Sequence, residues 1–106
     1  MASDITGNQP QGGIVGAELG SLFRNLGTRP ITVTSLEFYN DSGVNDVVLK
    51  VCQPDGSNAI KIRQAELDSG YSYIMKEERV IRVNEGIDAM ASVADTIRWR
   101  MNFRVD

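Results

Sequence analysis

The chain has 106 residues, a formal net charge of −3, 24% charged and 42% hydrophobic residues, the make-up of one ordinary folded domain with a single core. A pI near 4.9 argues against a general nucleic-acid binder, whose phosphate contacts need a basic surface. With one cysteine, Cys52, and no histidine, the chain cannot form an intrachain disulfide, a common zinc-ligand set, or a Ser-His or Cys-His nucleophile pair.

No apolar run approaches the roughly 20 residues that span a bilayer, and no basic-then-apolar leader opens the sequence. The expectation is a soluble, cytosolically made chain without membrane contacts, in which the sequon Asn40-Asp41-Ser42 is a chance match. Residues 1–13 are polar, Gly-rich and interrupted by Pro10, with Ile5 the one large apolar residue after the start Met. Such a segment buries too little surface to offset its ordering entropy alone. It reads as a flexible N-terminal arm that frays or orders against a neighbouring subunit, with a β-sandwich domain over 14–106.

Between Ile14 and Leu26 the spacing of Leu19, Leu22, Phe23 and Leu26 suits a helix. Gly16 and Gly20 oppose it, at about 1 kcal/mol each against Ala, and a strand is the reading that fits the rest of the chain. After Pro30 the run Ile31–Tyr39 is rich in β-branched and aromatic residues. Its alternation slips near Ser35-Leu36, which predicts a β-bulge or a strand that changes sheets. Asn40 to Gly43 is turn-forming by composition. Val47–Cys52 is almost wholly apolar and reads as a central strand, with Cys52 a small hydrophobe. Pro54-Asp55-Gly56 predicts a hairpin turn and Ala59–Arg63 the returning strand. Gln64–Gly70 reads as a polar connection with one helical turn. Tyr71–Met75, Arg79–Val83 and Ile87–Ala91 are further short strands. About eight strands, with turn signals every 8–12 residues, predict an all-β antiparallel sandwich of jelly-roll type.

The clearest strand is the last. From Thr96 to Asp106 the residues Ile97, Trp99, Met101, Phe103 and Val105 share one parity, and Arg98, Arg100, Asn102 and Arg104 the other. Because side chains alternate faces along a strand, one side is core and the other a basic ladder, with about 6.8 Å between successive rungs. The expected core is Val33, Phe38, Val48, Leu49, Val51, Ile60, Ile62, Ile81, Val83, Ile97, Trp99, Met101, Phe103 and Val105. The ladder has three readings: an exposed face balanced by acids across the sheet, such as Glu37, Glu66 or Glu78, a contact with an acidic partner surface, or a DNA contact, which the overall charge opposes. On the second reading the candidate interface is Ile5, Pro10, Arg98, Arg100 and Arg104.

Nothing in the sequence spells an active site. No Gly-rich phosphate loop occurs, and the carboxylates are scattered, mostly in turns. Asp41 with Asp46 offers hard-cation ligands but not the calcium-loop spacing, and no cofactor or metal is expected. Tyr39, Tyr71, Tyr73 and Trp99 have two readings, a sugar-stacking platform or core.

The order of elements resembles small β-sandwich structural proteins of tailed bacteriophages. The resemblance covers roughly residues 17–105. It rests on A-E-L-G-S-L-F (Ala17–Phe23), on I-T-V-T-S-L-E-F-Y-N (Ile31–Asn40) ending at an Asn turn, and on the turn Val83–Asp88 with Ala91-Ser92 after it. The resemblance implies a non-enzymatic virion component in repeated copies: a capsid decoration or minor capsid protein, or alternatively a neck, tail or fibre piece. Its partners would be copies of itself and other virion proteins, with no nucleic acid. A carbohydrate-binding or host-adhesion module and an enzyme accessory subunit are the rival readings.

Overall fold

The structure, a computed structural model, describes the backbone of residues 3–5, 11–55 and 58–106 and the side chains of residues 12–53 and 62–106. Ten strands are present and no helix among the described residues: β1 (Ser3–Ile5), β2 (Gln11–Ile14), β3 (Gly20–Asn25), β4 (Ile31–Asn40), β5 (Val47–Asp55), β6 (Asn58–Leu67), β7 (Ser72–Met75), β8 (Arg79–Ile81), β9 (Gly86–Ala91) and β10 (Ile97–Val105). They form two sheets, in the orders β1-β3-β9-β5-β6 and β2-β10-β4-β7, with β8 also beside β4. All pairings are antiparallel except β1 with β3. With β1 set aside and β7 and β8 taken as one broken strand, eight positions remain. Apart from the β5–β6 hairpin, each connection crosses between the sheets, which is the winding of a jelly roll.

β10 runs through the second sheet between β2 and β4, and Ile97, Trp99 and Met101 point into the core as its alternation demands. Phe23 of the facing sheet meets Trp99 with ring centroids 6.1 Å apart. The slip in β4 is a bulge. Asn102 pairs with Ser35 and Phe103 with Val33, so Thr34 is the extra residue, and the buried parity changes from Ile31 and Val33 to Leu36, Phe38 and Asn40.

Several expectations need correction. Val48 faces outward because Val47, Leu49 and Val51 take the core side of β5. Val83 is exposed because β8 stops at Ile81, and Val105 because it ends β10 where the covering layer runs out. Ile62 and Phe103 pack against the core half-buried, while the side chain of Ile60 lies outside the described residues. Gln64–Leu67 continues β6 rather than turning helical: Ala65 and Leu67 sit opposite Leu49 and Val47, an alternation masked by their polar neighbours. Pro54 and Asp55 are already strand, and Asp55 pairs with Asn58. The third residue of the expected turn, Gly56, lies outside the described residues.

Two stretches of the expected arm are paired into the sheets. Gln11–Ile14 pairs with Met101–Arg98 of β10, and Ser3–Ile5 pairs in parallel with Phe23–Asn25. The glycines that suggested flexibility serve close approach here: a Cβ on Gly12 would lie 2.9 Å from the Trp99 carbonyl oxygen. Residues 1–2 and 6–10, Pro10 among them, lie outside the described residues, as does the side chain of Ile5.

Candidate functional site

The basic ladder lies on the outer face of the second sheet, and each rung is satisfied within the chain. Arg100 faces Glu37 across the β10–β4 pair and donates to it at 2.7 Å. Arg98 Nε lies 3.3 Å from Asp41. Arg104 donates to Glu78 at 2.7 Å and lies 3.4 Å from Asp106, and Glu78 and Asp106 strengthen its hold on its proton. Thr32 donates to the other Asp106 oxygen at 2.6 Å. Asn102 fills the remaining rung by donating to the Ser35 hydroxyl at 3.1 Å. Two of the anticipated acids, Glu37 and Glu78, hold arginines of the ladder. Glu66 does not, because it sits on the other sheet.

Glu66 is instead in a group of exposed carboxylates with Asp46 and Asp68. Asp46 raises the Glu66 pKa through a side-chain hydrogen bond and charge repulsion, and Asp68 adds to the repulsion. The Asp46 amide donates to Asp68 at 2.9 Å, so the group also closes the β4–β5 loop onto β6. Asp41, expected beside Asp46, goes to Arg98 instead. Asp88, on the outer face of the first sheet, has its pKa raised by burial, with Arg24 opposing.

The four aromatics do not form a platform. Tyr73 packs against the core, Trp99 is buried, Tyr71 is exposed at a strand end, and Tyr39 lies on the ladder face half-buried. Cys52 is buried in β5.

The ends of the sandwich carry what sequence reasoning passed over. At the end formed by the β2–β3, β4–β5 and β9–β10 loops, Leu19, Val44 and Val93 are 42%, 39% and 40% exposed. At the opposite end Leu26, Val83 and Val105 are 48%, 37% and 39% exposed. No sequence pattern groups these residues, because each comes from a different loop or strand end. Each end is sealed by an asparagine, which keeps those loops fixed. Asn25 donates to the carbonyls of Arg29 at 3.0 Å and Ile81 at 3.2 Å, and accepts from Gly27 N–H at 3.0 Å. Asn40 repeats the arrangement at the other end, donating to Val44 at 2.7 Å and Leu67 at 3.0 Å and accepting from Ser42 N–H at 3.0 Å.

A last feature is a cleft of about 570 Å³ at the mouth of the sandwich, between β2 with the β2–β3 loop on one side and β3 and β9 on the other.

No family model and no curated protein matches the chain. In the fold, it is similar to a solved structure of Bacillus endospore appendages, described as a novel family of disulfide-linked pili. The TM-score is 0.55 at 14% identity, over 92% of this chain and 82% of that one. At that identity the likeness shows the sandwich fold alone.

Proposed function

We propose that the chain is a non-enzymatic structural subunit that assembles in multiple copies, end to end along the strand direction. The observation that carries this is the pair of apolar ends. Three exposed aliphatic side chains crown each end of a rigid sandwich, while the ladder face is neutralised within the chain. Contact between two unlike ends is heterologous, and such contacts propagate into rings or filaments. The resemblance to tailed-phage sandwich proteins supports a virion as the assembly. End-to-end growth favours the neck, tail or fibre apparatus over capsid decoration.

The pilus subunit of like fold is consistent with a repeating structural role but differs in chemistry. Linking identical subunits into a chain by disulfides takes two cysteines in each, and this sequence has one, buried in β5. Contacts between copies therefore do not form a disulfide-linked chain.

Leu19→Asp and Leu26→Asp block opposite ends and test the proposal. Analytical ultracentrifugation should show concentration-dependent growth for the wild-type chain, none for either variant alone, and a discrete pair when the two are mixed. Self-association of one variant alone would mean a like-to-like contact. No association in any mixture would overturn the proposal.

A further inference from the structure

The cleft at the sandwich mouth has polar groups that the fold itself does not use. Trp99, 4% exposed, lines it with Leu22, Ala89 and Ser21, and Glu18 stands at its mouth. Among the described residues the Trp99 indole N–H donates no hydrogen bond, and no buried side-chain polar atom is left without a partner. The N–H therefore opens to solvent, and the cleft is where Trp99 meets it. Gly13 makes this opening: a Cβ there would sit 3.2 Å from the indole nitrogen and cover it. Glu18 is exposed and makes no ion pair among the described residues. The Ser21 hydroxyl donates to the Phe23 carbonyl at 3.1 Å, which leaves its oxygen able to accept.

These groups select among ligands. The buried Trp99 supplies a fixed donor at the floor, and the exposed Glu18 an anionic acceptor on the loop at the mouth. An ammonium or guanidinium donates only, and leaves the indole N–H unmet. An anion meets the indole but is repelled by Glu18. A hydroxyl both donates and accepts, so an uncharged polyhydroxylated ligand satisfies both groups. A polypeptide strand adding to the free edge of β2 would lie in the plane of that sheet, outside the space between the layers, and would not reach the indole. The volume is within the usual range for small-molecule sites, about 300–1,000 Å³. We propose that this cleft binds a neutral saccharide, one or two sugar units long, with Trp99 as hydrogen-bond donor and Glu18 as acceptor. The proposal does not depend on end-to-end assembly.

Trp99 is the only tryptophan, so the uniformly ¹⁵N-labelled chain shows one indole N–H resonance, from the group that lines the cleft. The experiment titrates the full chain with glucose, galactose, N-acetylglucosamine and maltose and follows that resonance. At least one sugar should move it saturably. Glu18→Gln, an exposed loop change that spares the fold, should weaken that binding about tenfold, the usual loss for a hydrogen bond to a charged group. Gly13→Ala should abolish it. The proposal is overturned if no sugar moves the resonance at the highest soluble concentration, or if Glu18→Gln binds as the wild type does. It is also overturned if the resonance follows protein concentration rather than sugar, which would place a second copy in the cleft.

Discussion

Two asparagines do more for this fold than their polarity suggests. Asn25 and Asn40 are each 1% exposed, and each side chain meets three backbone groups: a carbonyl four residues on, an N–H two residues on and a carbonyl of a distant strand. Their main chains are also paired, Asn25 with Glu85 and Asn84, and Asn40 with Tyr71 and Gly70. Alanine at either position leaves buried carbonyls without donors, so each substitution should cost at least about 2 kcal/mol. Aspartate should be worse, because it sets a charge against carbonyl oxygens. Urea unfolding of Asn25→Ala and Asn40→Ala checks this, and a shift under 0.5 kcal/mol in both would refute it. A pH effect belongs to the same scale. Asp46 holds the Glu66 pKa above its usual value, so the folded state binds that proton more tightly than the unfolded chain does. Ionising Glu66 therefore lowers stability; the penalty is absent below the ordinary carboxylate pKa of about 4.3 and complete above the raised one. Glu66→Gln should raise Tm at pH 7 and leave it unchanged near pH 4, as scanning calorimetry at the two pH values will show.

At the scale of elements, the sequence was legible where alternation met one buried face and illegible where a tertiary contact overrode composition. β10 alternates over nine residues with every aromatic on the inner parity, and Ile97, Trp99 and Met101 lie in the core as read, while Phe103 is half-buried and Val105 exposed at the strand end. β4 betrayed its bulge as a parity slip, one residue beyond the true position, because the extra residue, Thr34, is set by the pairing of Ser35 with Asn102 and Val33 with Phe103. The end of β6 was hidden by charge. Arg63 takes the inner parity opposite Val51 at the sheet's edge and forms an ion pair with Glu77 of the β7–β8 loop, a device that both closes the sandwich and blunts an edge strand. Among the candidate site residues, the ladder was visible in the sequence and its intrachain partners largely so. The cleft was not, since the role of Gly13 depends on where Trp99 lies. Gly86 shows the same dependence in the β3–β9 pair. A Cβ there would fall 2.0 Å from the Phe23 carbonyl oxygen and 3.1 Å from the Arg24 Cα, and backbone cannot rotate aside as a side chain does. Gly86→Ala should therefore cost more than the roughly 1–3 kcal/mol of side-chain overpacking. Its thermal melt should be lost or lowered far below that of an exposed-glycine control such as Gly16→Ala.

Over the whole molecule, ion pairs run along the broad face of the second sheet, where Ile74 and Val80 are also 46% and 56% exposed, and three aliphatic side chains cap each of the two ends. The two surfaces answer salt oppositely. Exposed ion pairs and charged docking faces weaken as the Debye length falls from about 10 Å at 0.1 M to about 3 Å at 1 M ionic strength, whereas apolar contacts hold or strengthen in excluded salts such as sulfate. If copies join through their ends, sedimentation at 1 M sodium sulfate should show assemblies at least as large as those at 0.1 M. Assemblies that disperse with salt would move the contact to Arg98, Arg100 and Arg104. A charge swap then decides between intrachain and intermolecular roles for that face. Glu37→Arg with Arg100→Glu restores the pair within the chain while inverting what a partner would meet. Should the double variant assemble as the wild type does, the ladder is internal balance and the ends carry the assembly.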